Sequence, residues 1–366
     1  MNNDEIRLVA DIRPDAQPYD REAGNAARRR LAATAGTREP RWRRSYTMAL
    51  AGALAVAVAV GTTVVVSVTS RAPNREDLGA ETVVALPKLS RVSASEVLGR
   101  AARAARDELD PRDDQFVKVE SQTMNAVLGG ELVTRDDGTT EPQKRYLYRT
   151  RRVIWQSADG QRAGALKVDY LKPQAYPGWP IPKEAYQQPD NGWNRLPVCE
   201  RPPAYLRYDY ASLKKLPTDV DGMRAFLYTG ERGGDSKDAA AWTAASDMLQ
   251  ENYMPAAQRA ALFKAIGTIP GVDAVENAED AAGRRGIGVG RISWGVREDL
   301  IFDPRTYEFL GERGVVVDEK EAQAPVGSLV ASSAQFSVTV TDSVPEVPEQ
   351  PGDVTVKIDG KEADCG

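Results

Sequence analysis

Catalysis draws on a short list of side chains, and this chain of 366 residues lacks one of them, because it contains no histidine. That removes Ser-His-Asp and Cys-His mechanisms, imidazole bases and His-ligated zinc. Cys199 and Cys365 are the only cysteines, too few for a four-cysteine zinc site and too far apart for a C-x-x-C redox motif. In an oxidising compartment an even count favours a disulfide between them, which would tie down the C-terminal tail; the alternative is two free thiols. Gly286-Ile-Gly-Val-Gly290 lacks G-x-G-x-x-G spacing and opens no helix, so it reads as a strand and not a nucleotide loop. Asp113-Asp114 and Asp136-Asp137-Gly138 start no EF-hand and read as solvated turns. Nothing marks a Ser-Lys dyad. No catalytic, cofactor-binding or metal-ligating residue is assigned, and the expectation is a protein that is not an enzyme and carries no cofactor.

One stretch could bind. Between Tyr170 and Trp193 lie five prolines and the aromatics Tyr170, Tyr176, Trp179, Tyr186 and Trp193. Tyrosine and tryptophan offer large contact area at low entropic cost and stack on sugars or apolar groups. These five are the candidate binding surface. The plainer alternative is a lid whose rings cover the edge or concave face of a sheet.

The elements that would position such a surface begin with a membrane segment. No charged residue occurs from Ser45 to Ser70, and about 20 apolar residues suffice to cross a bilayer as a helix. Arg41, Arg43 and Arg44 precede the apolar core, with Trp42 and Tyr46 at the level of an interfacial aromatic belt. Residues 1–46 carry 10 arginines against 7 acidic residues; residues 71–366 carry a net charge of -8. The arginine cluster places the N-terminus in the cytoplasm and the large C-terminal part outside. An outer part without basic bias speaks against nucleic acid as a partner. A cleaved signal peptide is the rival, but its charged region would be too long and no clear A-x-A site follows. A buried core helix fits poorly beside so many arginines.

The chain thus divides into a basic cytoplasmic tail (1–46), a single transmembrane helix (47–69), a linker (70–90), an extracytoplasmic α+β domain (91–342) and a C-terminal tail (343–366). The first of these either only sets orientation or folds on a cytoplasmic partner. Ser93-Ala-Ser-Glu96 is a capping box opening a helix. Strands are expected at 115–121, 145–150, 152–156 and 164–171. Helices follow near 210–229, from Ala239 to Tyr253, and from Pro255, as its first residue, to Ile266. Strands resume at 272–276, 286–294, 299–302 and 307–310, with Val315–Val317 and Leu329–Val340 closing the sheet. Asp303-Pro-Arg-Thr306 has the chemistry of a hairpin turn. Helix, strands, helices and strands without regular alternation imply an α+β fold with a mainly antiparallel sheet packed against helices.

Four stretches carry a resemblance: Leu8-Val-Ala-Asp-Ile-Arg-Pro14, Leu216-Pro-Thr-Asp219, Ile269-Pro-Gly271 with Asp280-Ala-Ala-Gly-Arg284, and Leu300-Ile-Phe-Asp-Pro-Arg-Thr306. The chain resembles an uncharacterised actinobacterial family of single-pass membrane proteins, often encoded beside extracytoplasmic-function sigma factors. The outer domain is similar to the lipoprotein-carrier and sigma-regulator sensor fold, a curved antiparallel half-barrel packed on helices. The tail lacks the His-x3-Cys-x2-Cys pattern of zinc-containing anti-sigma domains. The resemblance implies a membrane-anchored sensor or regulator, with residues 1–46 contacting a sigma factor or another cytoplasmic regulator and the outer domain contacting an envelope lipid or protein. The alternative it leaves open is an anchored lipid or lipoprotein carrier or envelope scaffold.

Overall fold

The structure, a computed structural model, describes residue 84 and residues 86–106, 109–128, 144–187, 192–196, 198, 207–229, 236–347, 356–358 and 361–363. The basic tail, the apolar span with Arg41, Trp42, Arg43, Arg44 and Tyr46, and both Cys199 and Cys365 lie outside the described residues. So does Asp136-Asp137-Gly138. Among the described residues no helix is long and apolar enough to cross a membrane.

In chain order the elements are β1 (Lys88–Leu89), α1 (Ala94–Ala104), β2 (Phe116–Leu128), β3 (Arg145–Ser157), β4 (Gly164–Ala175), β5 (Trp193–Leu196), α2 (Tyr210–Leu213), α3 (Val220–Leu227), α4 (Lys237–Leu249), α5 (Ala256–Ile266), β6 (Asp273–Glu279), β7 (Arg285–Ser293), β8 (Val296–Phe302), β9 (Phe309–Val316), α6 (Glu319–Ala322) and β10 (Leu329–Thr341). Strands β11 (Val356–Ile358) and β12 (Lys361–Ala363) form a separate two-stranded sheet. The other ten strands form one sheet in the order β1-β6-β7-β8-β9-β10-β2-β3-β4-β5. Every pairing in it is antiparallel. The α+β class read from the sequence is the class observed.

Local chemistry explains most boundaries. The Ser93 hydroxyl accepts the Glu96 amide at 3.2 Å and starts α1. The Glu96 carboxylate pairs with Arg100 one turn on, so only half of the capping box forms. Ser236 caps α4 by accepting the Ala239 amide at 3.1 Å. Asp303 Oδ1 accepts the amides of Arg305 and Thr306 at 2.8 and 2.9 Å, which builds the expected turn between β8 and β9. Pro255 caps α5 from just outside it and is not its first residue. The two segments expected at 145–150 and 152–156 are a single 13-residue strand, β3. Likewise 307–310 and 315–317 merge into β9. Pro173 sits inside β4, beside a register shift at Leu147/Arg149 that relieves the ladder of the amide proline lacks. The sheet also reaches into the sequence read as linker, because Lys88 and Leu89 pair with Glu276 and Val275.

The glycines of β7 have a steric reason. A Cβ on Gly290 would lie 1.8 Å from the Glu298 carbonyl oxygen, and one on Gly286 would lie 2.3 Å from that of Phe302. Strand β8 approaches too closely for a side chain there.

Helices α1, α3, α4 and α5 bury their apolar residues against one face of the sheet, where Ala274, Val289, Leu300 and Phe302 meet them. The Phe263 ring stands edge-on to Phe302, with centroids 5.3 Å apart. Alanine lets α4 sit deep in this layer: Ala241, Ala244 and Ala245 are fully buried around Trp242 and Met248.

Candidate functional site

Farther along the same sheet face the chemistry turns polar. Register places Leu300 opposite Glu312, Ala331 opposite Asn125 and Ser333 opposite Thr123, and Ser121 opposite Arg152. Helix α4 faces these residues with Trp242, Thr243, Ser246 and Asp247, whose spacing of one and four places them on one side of a helix. Between helix and sheet lies a cavity of about 80 Å³, lined by these four residues and by Thr123, Asn125, Arg152, Gln250, Glu251, Glu298, Glu312 and Ser333 among others.

One charge cluster of the cavity is satisfied internally. Arg152 grips Glu251 through two bonds of 2.7 and 3.0 Å, and the Ser121 hydroxyl adds a third at 2.6 Å. Glu251 adopts φ 54, a left-handed conformation unusual for a residue with a Cβ; that backbone turns its carboxylate back under α4. On the opposite face of the sheet Asp299, fully buried, accepts Arg297 at 2.8 Å and Arg313 at 3.1 Å. Burial pushes the Asp299 carboxyl up, and Arg297 and then Arg313 oppose it.

Two polar groups at the cavity are not satisfied. Trp242 is 1% exposed, and its indole N–H has no hydrogen-bond partner. Glu312 Oε1 is likewise buried and unpartnered. The backbone of Glu312 is held, since its amide donates to Ser333 Oγ at 3.0 Å and its carbonyl accepts from Ser332 Oγ at 3.1 Å. Its carboxyl is pushed up to about 8, mainly by burial; a hydrogen bond with Ser246 opposes this, and the negative charges of Asp247, Glu298 and Glu251 add to it. A buried polar atom without a partner costs roughly 1–3 kcal/mol, and here two of them, one donor and one carboxyl oxygen, border the same cavity.

At neutral pH Glu312 therefore keeps its proton. A carboxyl raised this far exchanges its proton near neutral pH, and once the proton leaves, Oε1 can accept from a cationic group. Among the described residues no three carboxylates converge closely enough to hold a metal ion.

No family model matches the chain, and no curated protein matches it.

The structure divides the five candidate aromatics and does not gather them. Tyr170 lies within β4, on Tyr148 at 5.8 Å. Trp193 opens β5 and stacks on Trp155 at 5.8 Å. Tyr176 is fully buried in an apolar cluster with Leu147, Val315 and Val316, and Trp179 packs beside it with Arg145 over its ring at 4.9 Å. Tyr186, in a short 3-10 turn, is exposed. By register Tyr170, opposite Thr150, lies on the face of Thr123 and Arg152, whereas Trp155 and Trp193 lie on the other. Trp242 and Glu312 were not among the sequence candidates. Trp242 reads as part of an apolar helix stripe, and Glu312 falls between the strands expected at 307–310 and 315–317. The one signal for Glu312 is its setting, a carboxylate between Gly311 and the buried run Gly314-Val315-Val316.

Proposed function

We propose that this protein is a membrane-anchored extracytoplasmic sensor or regulator, and that the cavity beneath α4 is its ligand site. The observation that carries this is the pair of unsatisfied buried groups, the Trp242 N–H and Glu312 Oε1, at one cavity. A ligand that bonds both recovers free energy the empty protein forgoes. The site is read as one of binding because a buried N–H and a buried carboxyl oxygen wait there for a complementary partner.

The anchor and its orientation rest on the charge-free run from Ser45 to Ser70 and the arginines before it. A sigma factor or other cytoplasmic regulator as the partner of residues 1–46 rests on the family resemblance, as does the curved half-barrel form of the sheet. The carrier alternative has less support. It requires an open apolar face for acyl chains, and the apolar part of this face is filled by α1, α3, α4 and α5.

The test is affinity capture of the full chain from native membranes beside a chain lacking residues 1–40, with mass spectrometry of the proteins and lipids retained. A cytoplasmic regulator retained only with the tail supports the sensor. Co-purified lipid with no cytoplasmic partner transfers the case to the carrier.

A further inference from the structure

We propose that the cavity beneath α4 takes a small organic cation, a primary ammonium with a hydrogen-bond acceptor beside it, in which Glu312 pairs with the ammonium and the Trp242 N–H donates to the acceptor. This rests on the reading of the cavity as the ligand site and adds the chemical class.

Charge argues first. The cavity presents the side chains of Asp247, Glu251, Glu298 and Glu312 against that of Arg152. Arg152 is already bound to Glu251. An anion entering here meets a guanidinium that is committed to Glu251 and carboxylates that repel it, whereas a cation is favoured by the four acids. Polarity argues second. The two unsatisfied atoms are one N–H donor and one carboxyl oxygen, which a ligand carrying one donor group and one acceptor complements. Size argues third. About 80 Å³ is less than the roughly 150 Å³ of a cavity that holds a benzene ring, which suits an amino alcohol of a few heavy atoms.

Binding has a protonic signature. Glu312 enters protonated and must ionise to pair, so the carboxylic acid and the ammonium yield an ion pair and one released proton. Groups facing it are Ser246 and Asp247 on α4, Glu251 beyond that helix and Glu298 on β8, with Arg152 on β3 also at the cavity.

The experiment is isothermal titration of the full chain in mild detergent with ethanolamine, ethylene glycol and glycolate, in two buffers of different ionisation enthalpy. Ethanolamine is expected to bind with release of up to one proton at pH 7. Its affinity should rise up to tenfold per pH unit from pH 6 and level off near 8. Glu312→Gln, close in shape to the protonated acid, should weaken binding at least tenfold and abolish proton release. Trp242→Phe should weaken ethanolamine several-fold while leaving methylammonium unchanged. Thermal unfolding of each unliganded variant confirms that it is folded. Tighter binding of glycolate or ethylene glycol than of ethanolamine overturns the cation but leaves the cavity as the ligand site. If no probe binds, both fall. Ethanolamine binding that a folded Glu312→Gln variant retains overturns the assignment of the site.

Discussion

Glu312 concentrates the chemistry of the molecule at one side chain. Its carboxyl, raised to about 8 from the ordinary 4.5 by burial above all, binds a proton more tightly folded than unfolded. The sign follows: its contribution to stability is complete below pH 4.5, declines as pH rises, and is lost once pH passes 8. The wild-type protein should therefore lose stability between about pH 5 and 8, and Glu312→Gln should flatten that decline, as thermal midpoints across the range would reveal. An unchanged slope would mean that Glu312 is already ionised at the acid end of that range. Arg152 and Glu251 give the opposite kind of prediction. Both side chains are nearly buried, at 7% and 11% exposure, so Arg152→Met leaves a carboxylate without its partner. A loss of roughly 3–5 kcal/mol in urea unfolding is expected; a loss below about 1 kcal/mol would show that Ser121 and water suffice for Glu251. None of these three residues stands out in the sequence. Their spacing is set by strand register and by a left-handed backbone at Glu251, and neither leaves a compositional mark.

The elements themselves were more legible. Ser93, Asp303 and the alanine-rich run before Tyr253 each carry a local rule, and each produced the expected cap, turn or helix. Errors cluster where a rule met tertiary structure. Pro173 argued against a long strand, yet a register shift lets β4 run through it. The aromatics from Tyr170 to Trp193 read as one unit by composition, but two of them belong to strands, which send neighbouring side chains to opposite faces. Glycine in β7 is the sharpest case at this scale, since Gly286-Ile-Gly-Val-Gly290 imitates a phosphate loop while serving close strand packing. Gly290→Ala would bring a methyl within 1.8 Å of the Glu298 carbonyl. It should cost about 1–3 kcal/mol by forcing β7 from β8, measurable as a lower urea midpoint, and a neutral effect would show that the strands separate freely.

The whole molecule raises the question of sidedness. In a background with Cys199→Ser and Cys365→Ser, Arg30→Cys should resist a membrane-impermeant thiol reagent in intact cells, while Asp235→Cys should react. The reverse pattern would invert the topology. Strand order, by contrast, had no signal in the sequence, because pairings between distant segments depend on edges that composition does not mark. The place of β10 is the instance with consequences. It is the last strand of the large sheet to be made, yet it stands between β9 and β2 and pairs Ala331 with Asn125. Until Thr341 has emerged, β2 and β9 each wait with one bare edge, the condition in which strands seek foreign partners. The sheet thus has a completion signal written near its end: a chain interrupted before Leu329 has two half-sheets and no seam, and those edges need shelter until the final strand arrives.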